Sequence, residues 1–277
     1  MKTCKRIARV IEGHRGGNCV IGKSIREIST AFMVECCSMK VFIAAHPGLG
    51  DHVLCNGIYR SYANSFEKVW IGVSKSNITN VKSMLHDLNN VELVTFGPPV
   101  VHFAAQSFFI KRIKKRDDIR VLGLGYYGDK FMENCRYDES FYHQAEVKFD
   151  TRWSGFDFPR EASKQEYVFS QLVGDKKKKY IFLHEDVGRK MQISRKYLGQ
   201  SLDIVRPSLD PGEFSIFDYE LVLKRAEEIH CIESSFAALT ESLEVPGAKF
   251  AHRYARSEAK NDWRLEFTYR SNWEILL

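Results

Sequence analysis

From Met39 onward, short apolar runs alternate with segments whose apolar positions recur every three or four residues. The runs at 41–45, 68–73, 91–95 and 119–123 are β-rich and nearly unbroken, as in strands buried on both faces of a parallel sheet. Between and after them, 52–64, 77–88, 103–115 and 138–146 carry a helical period, exemplified by Val53, Leu54, Ile58 and Tyr62. The tandem prolines of Phe96-Gly-Pro-Pro99 stop either element and read as a loop. A second alternating unit opens with Tyr180-Ile-Phe-Leu-His184 and passes a strand at 203–206, a helix at 218–228 and a strand at 229–233. It ends in a helix that starts at Ser235. Such alternation predicts an α/β fold in which two Rossmann-like α/β domains face a cleft.

The expected division is a leader over 1–38, dispensable for folding, a first domain over 39–160, a crossover over 161–179 and a second domain over 180–262. A C-terminal segment over 263–277 is expected to pack back on the first domain, with Trp263, Phe267 and Trp273 as packing residues.

Composition narrows the setting. At 277 residues, 44% apolar and 27% charged, the chain is an ordinary globular one, and no apolar run approaches the ~20 residues of a membrane helix. The charge of +6 is concentrated before Met39, where seven basic residues face three acidic ones. The basic runs Lys111–Arg116 and Lys176–Lys179 lack interleaved aromatics, which argues against a nucleic-acid partner. Seven cysteines without a CxxC pair fit free thiols in a reducing compartment, so a cytoplasmic location without a transmembrane segment is expected.

Two segments carry the candidate chemistry. In Val41-Phe-Ile-Ala-Ala-His46-Pro47-Gly48-Leu49-Gly50-Asp51-His52, a buried strand runs into a glycine turn and then a helix. Gly48 and Gly50 allow a sharp turn and close ligand approach, and Asp51 is expected at or beside the N-cap, on the sheet edge where open α/β folds bind ligands. Asp51 is then either a cap or a functional carboxylate. In Glu228-Ile-His-Cys-Ile-Glu233-Ser234-Ser235-Phe236, a strand ends in two serines that start a helix, which makes either a plain cap or an anion site. The neighbouring strand end holds His184, Asp186, Arg189 and Lys190, able to pair with a diphosphate, though His184 also reads as a core histidine and Asp186 as a turn residue. His46, His52, His184 and Asp186 show no metal-ligand spacing, so no metal site is expected, although magnesium held through a substrate phosphate leaves no motif. The cluster Gly123-Leu-Gly-Tyr-Tyr-Gly128 lines the same cleft or makes a simple turn.

Gly48-Leu-Gly-Asp51 resembles the Leu-Gly-Asp turn of bacterial heptosyltransferases, and Ile232-Glu-Ser-Ser-Phe-Ala237 resembles a donor-site segment of protein O-fucosyltransferases. Phe141-Tyr-His143, Arg152-Trp153 and Phe156–Arg160 are similar to segments of phage and bacterial glycosyltransferase-like proteins. The resemblance implies a GT-B glycosyltransferase that moves a sugar from a UDP-, GDP- or ADP-sugar to a hydroxyl of a glycan or glycoconjugate. It implies an inverting, metal-independent transfer with Asp51 as general base and no cofactor beyond the nucleotide-sugar co-substrate. His184, Asp186, Arg189, Lys190, Glu233, Ser234, Ser235 and Phe236 would hold the donor, and Gly48, Gly50, His52 and Arg152 would line the acceptor side. The glutamate-rich donor motif of many GT-B enzymes is absent, which leaves sugar, nucleotide and oligomeric state open. The rivals are a non-catalytic nucleotide- or carbohydrate-binding protein of the same fold, a methyltransferase with a glycine loop, and a zinc N-deacetylase. Ala45-His46-Pro47 resembles the start of the deacetylase motif, but Gly48, Leu49 and Gly50 replace its acids.

Overall fold

The computed structural model describes residues 39–116, 118–125, 134–175, 177–199, 201–256 and 262–277, without the side chains of Pro99 and Val100. The expected leader and part of the glycine and tyrosine cluster lie outside these residues. Strands β1 (Lys40–Ala44), β2 (Lys68–Ser74), β3 (Val91–Phe96) and β4 (Ile119–Gly123) form a parallel sheet in the order β3-β2-β1-β4. Period-two alternation splits β1 between two layers: Val41 and Ile43 enter the main core, while Phe42 and Ala44 pack with Phe96 and Ile113 on the other face. Burial on both faces is why four consecutive apolar residues were needed.

Helices α1 (Leu49–Leu54) and α2 (Asn56–Ser65) follow β1, α3 (Ile78–Leu85) follows β2, and α4 (Pro99–Ile113) follows β3. The single helix expected over 52–64 is thus broken at Cys55 and starts earlier, with Gly48 as N-cap and Asp51 inside the first turn. Pro99 opens α4 instead of holding a loop, because a proline at the first helical position gives up an N–H that has no partner there anyway. Helices α5 (Tyr137–Ala145), α6 (Thr151–Ser154) and α7 (Ala162–Leu172) lead to the second sheet. The segment expected as a crossover contains α7, whose Val168 and Phe169 are fully buried.

The second sheet comprises β5 (Tyr180–His184), β6 (Asp203–Val205), β7 (Glu228–Cys231), β8 (Ala248–His252) and β9 (Trp273–Leu276). It is also parallel, in the order β6-β5-β7-β8-β9, with α8 (Glu220–Arg225) before β7 and α9 (Ser235–Ser242) after it. Trp273, expected only to pack, begins β9 opposite Lys249 of β8. Phe267 is buried, but Trp263 is 51% exposed and does not pack as expected. One hydrophobic core joins Ile43 and Ile71 of the first sheet to Phe182, Ile229 and Leu239 of the second half, and Met39–Leu277 forms a single compact unit. The tail segment before β9 reaches the first half through Thr268, whose N–H and hydroxyl both donate to Asp138.

Candidate active site

Each sheet reverses its strand order once. After β1 the chain adds β2 on one side and later β4 on the other; after β5 it adds β6 on one side and β7 on the other. Loops diverge at such points and leave a crevice beyond the carboxyl ends of the strands. The turn after β1 and the segments after β5 and β7 line one cavity of about 450 Å³. Its wall includes Gly48, Gly50, Asp51, Asn77, Tyr137, His184, Asp186, Arg189, Glu233, Ser234, Ser235 and Arg256.

On the β1 side the turn is held by its neighbours. Asn77 donates to the Pro47 carbonyl at 2.7 Å, while His102 and Gln106 of α4 both reach the Ala45 carbonyl at 3.2 Å. His46 Nδ1 lies 2.5 Å from Asp51 Oδ2, so an imidazole fixes one carboxylate oxygen while Asp51 itself lines the cavity. A Cβ at Gly48 would stand 2.3 Å from that same oxygen, so only glycine leaves room for the pair. A Cβ at Gly50 would stand 3.4 Å from the Ser235 backbone nitrogen, which sets how closely α1 and α9 begin beside each other. Gly125, at φ +72, packs against His46 from the β4 side, and this is the described part of the glycine cluster in contact with the turn.

The segments after β5 and β7 offer groups suited to an anion. Ser234 occupies the N-cap of α9, yet its hydroxyl does not cap the helix; it meets His184 Nδ1 at 2.9 Å. The first N–H groups of α9 therefore keep no side-chain partner from Ser234. Burial lowers the His184 pKa to about 4, so at neutral pH this imidazole is a hydrogen-bonding group without charge. Cationic charge comes from Arg189 and Arg256. Arg189 pairs with Asp186 at 2.6 Å, which holds the Asp186 carboxyl below the usual range. Arg256 donates to the Glu233 carbonyl at 3.0 Å. The buried Glu233 carboxylate bonds Arg253 at 2.9 Å, the Phe267 N–H and the Tyr269 hydroxyl, so it anchors the tail at the end of β7. Tyr137 completes the wall; burial and the nearby Asp51 carboxylate push its phenol well above 10, so it stays a donor.

Four expected site residues do not reach the cavity wall. His52 is fully buried and bonds the Tyr59 hydroxyl at 2.9 Å, because the residue after Asp51 turns about 100° around α1 into the core. Arg152 is buried in an ion pair with Asp138 and donates to the Thr268 carbonyl. Lys190 is exposed at φ +60 in the turn closed by the Asp186–Met191 bridge. Phe236 is buried behind the wall, against Phe182, His184 and Tyr219. Tyr137 and Arg256 were not foreseen as site residues, and no local motif marks either. His46, considered only as a metal ligand, had a signal in its position five residues before Asp51 across a glycine turn. Among the described residues, the group close enough to share a metal ion is Cys135, Glu139 and His143, none of which lines the cavity.

Burial of His52 and His184 makes stability depend on pH. Both are lowered from 6.5 to about 4, so the unfolded chain binds more protons than the folded one between those values. The stabilisation is complete above pH 6.5 and is lost as pH falls towards about 4. Each histidine adds a slope of ~1.4 kcal/mol per pH unit inside that window. His52→Phe is expected to flatten the fall in denaturation free energy between neutral and mildly acidic pH by roughly one such slope. An unchanged slope would show that His52 is not held neutral.

Two parallel sheets with facing switch-point loops make a fold similar to the GT-B fold of solved glycosyltransferase structures. Among solved structures, the glycosyl transferase family 9 protein from Veillonella parvula matches with a TM-score of 0.54 at 10% identity, over 87% of this chain and 86% of that one. E. coli heptosyltransferase WaaC with ADP matches with a TM-score of 0.45 at 15% identity, over 86% and 93%. E. coli ADP-heptose lps heptosyltransferase II gives 0.42 at 9% identity, over 77% and 84%. No protein-family model and no curated protein matches the chain.

Proposed function

We propose that the chain is a glycosyltransferase that moves a sugar from a nucleoside-diphosphate donor to an acceptor hydroxyl with inversion. The observation that carries this reading is one cavity whose lining holds a positioned carboxylate, Asp51, together with Ser234, Ser235, Arg189 and Arg256. Asp51 takes the proton of the acceptor hydroxyl as its oxygen attacks the anomeric carbon. The bond from that carbon to the phosphate oxygen breaks, and its electron pair leaves with the nucleoside diphosphate. Arg256, Arg189 and the N–H groups at the start of α9 stabilise the charge that grows on the leaving group. His46 acts as a positioning residue, because it holds Asp51 without itself lining the cavity. Tyr137, kept protonated, donates to whichever donor oxygen faces it.

The reading is tested at Arg256. Arg256→Met is expected to weaken nucleoside-diphosphate binding roughly tenfold or more, the worth of a hydrogen bond to a charged group. Isothermal titration with UDP, GDP and ADP measures this. Equal affinity of wild type and variant for the nucleotide that binds would remove Arg256 from the donor site.

A further inference from the structure

Helix α4 is apolar on more than the side it buries: Ala105, Phe109, Ile110 and Ile113 pack in the cluster of Phe42 and Phe96, while Val101 and Phe108 face outward. Surface helices normally bury their apolar stripe and expose the polar one. Here His102 and Gln106 are fully buried and committed to the Ala45 carbonyl, while Val101 is 46% and Phe108 72% exposed. Val101, Ala104 and Phe108 follow one another at three- and four-residue steps and share a face, and that face continues into Lys111 and Arg112, with Lys114 and Lys115 in the turn just beyond the helix end. One exposed phenylalanine is unremarkable by itself. Its setting is the informative part: among the described residues, Lys111, Arg112, Lys114 and Lys115 are exposed and have no acidic partner, while the nearby Asp118 is engaged by Lys40 and Arg116.

An apolar stripe running into exposed cations complements an anionic bilayer surface, where apolar side chains enter among the headgroups and cations meet the phosphates. We propose that α4 docks the protein peripherally on an anionic lipid surface, with Val101 and Phe108 inserted and Lys111, Arg112, Lys114 and Lys115 on the phosphates. No helix among the described residues is long and apolar enough to cross a membrane, so the contact is made along the helix side. The inner face of α4 holds the carbonyl that precedes His46, so docking places the Asp51 turn within about one helix diameter, ~10 Å, of the docked face.

The test is flotation of the full chain with phosphatidylcholine vesicles, with and without phosphatidylglycerol, at low and high salt. Binding is expected only with phosphatidylglycerol and is expected to fall with salt. Neutralising the cations with Lys111→Gln, Arg112→Gln, Lys114→Gln and Lys115→Gln should cost about fivefold in partitioning per charge. Phe108→Ser should cost roughly tenfold. Both variants change exposed side chains, so unchanged near-ultraviolet circular dichroism and nucleotide affinity will report an intact fold. Binding that ignores phosphatidylglycerol, or that survives both variants, would overturn the proposal. So would a vesicle-free dimer that Phe108→Ser dissociates, since the stripe would then be covered by a second copy.

Discussion

Asp51→Asn is expected to lower sugar transfer about 10²- to 10⁴-fold, the usual contribution of a positioned general base, while donor affinity stays unchanged. The substitution is close to isosteric. Its side-chain oxygen still accepts from His46, and Gly48 still leaves the required space, so the turn keeps its shape. What disappears is the capacity to take a proton. His46→Gln retains a donor towards Asp51 and should preserve more activity than His46→Ala, which releases the carboxylate. The measurement is single-turnover transfer with saturating donor, beside a donor titration of each variant. Full activity in Asp51→Asn would remove the base, and parallel loss of donor affinity would reassign Asp51 to binding.

Arg152→Met is expected to destabilise the fold by about 3–5 kcal/mol, the cost of breaking a buried ion pair from one side. Asp138 would remain fully buried with only its Thr268 and Glu139 hydrogen bonds, and the Thr268 carbonyl would lose its donor. This pair ties α5 and α6 to the tail before β9, so the loss is felt across the core. Denaturant unfolding reads the effect, and nucleotide affinity of the folded fraction should be unchanged. Unaltered stability with lost nucleotide binding would instead return Arg152 to the cavity.

The strands were legible because a strand buried on both faces must be an apolar run, and β1 to β4 lie within a residue of the expected bounds. Helix starts were less legible. Leu49 and Gly50 carry no helical signal of their own, which hides the start of α1, and a proline marks a stop and a first helical position alike, which hides the start of α4. β8 reads Ala-Lys-Phe-Ala-His and is no unbroken apolar run, and nothing in Trp273–Leu276 distinguishes an edge strand from a packed tail. The site divides along the same line. Residues carried by strand-to-helix turns, such as Asp51 and Ser234, announce themselves through glycines, serines and local order. Tyr137 and Arg256 come from distant segments that only the folded chain brings to the cavity. His52 and Arg152 misled because adjacency in sequence says nothing about which way a helical side chain turns, or which buried carboxylate an arginine must satisfy.

Donor turnover at this cavity tests the proposed transfer most directly. The full chain and its Asp51→Asn variant should be incubated with UDP-, GDP- and ADP-sugars while release of the nucleoside diphosphate is followed. One nucleotide class is expected to bind and to be slowly hydrolysed or transferred by the wild type, and the variant is expected to bind it equally but to release almost none. Absence of binding by all three classes, or release that proceeds unchanged in Asp51→Asn, would contradict the proposed transfer.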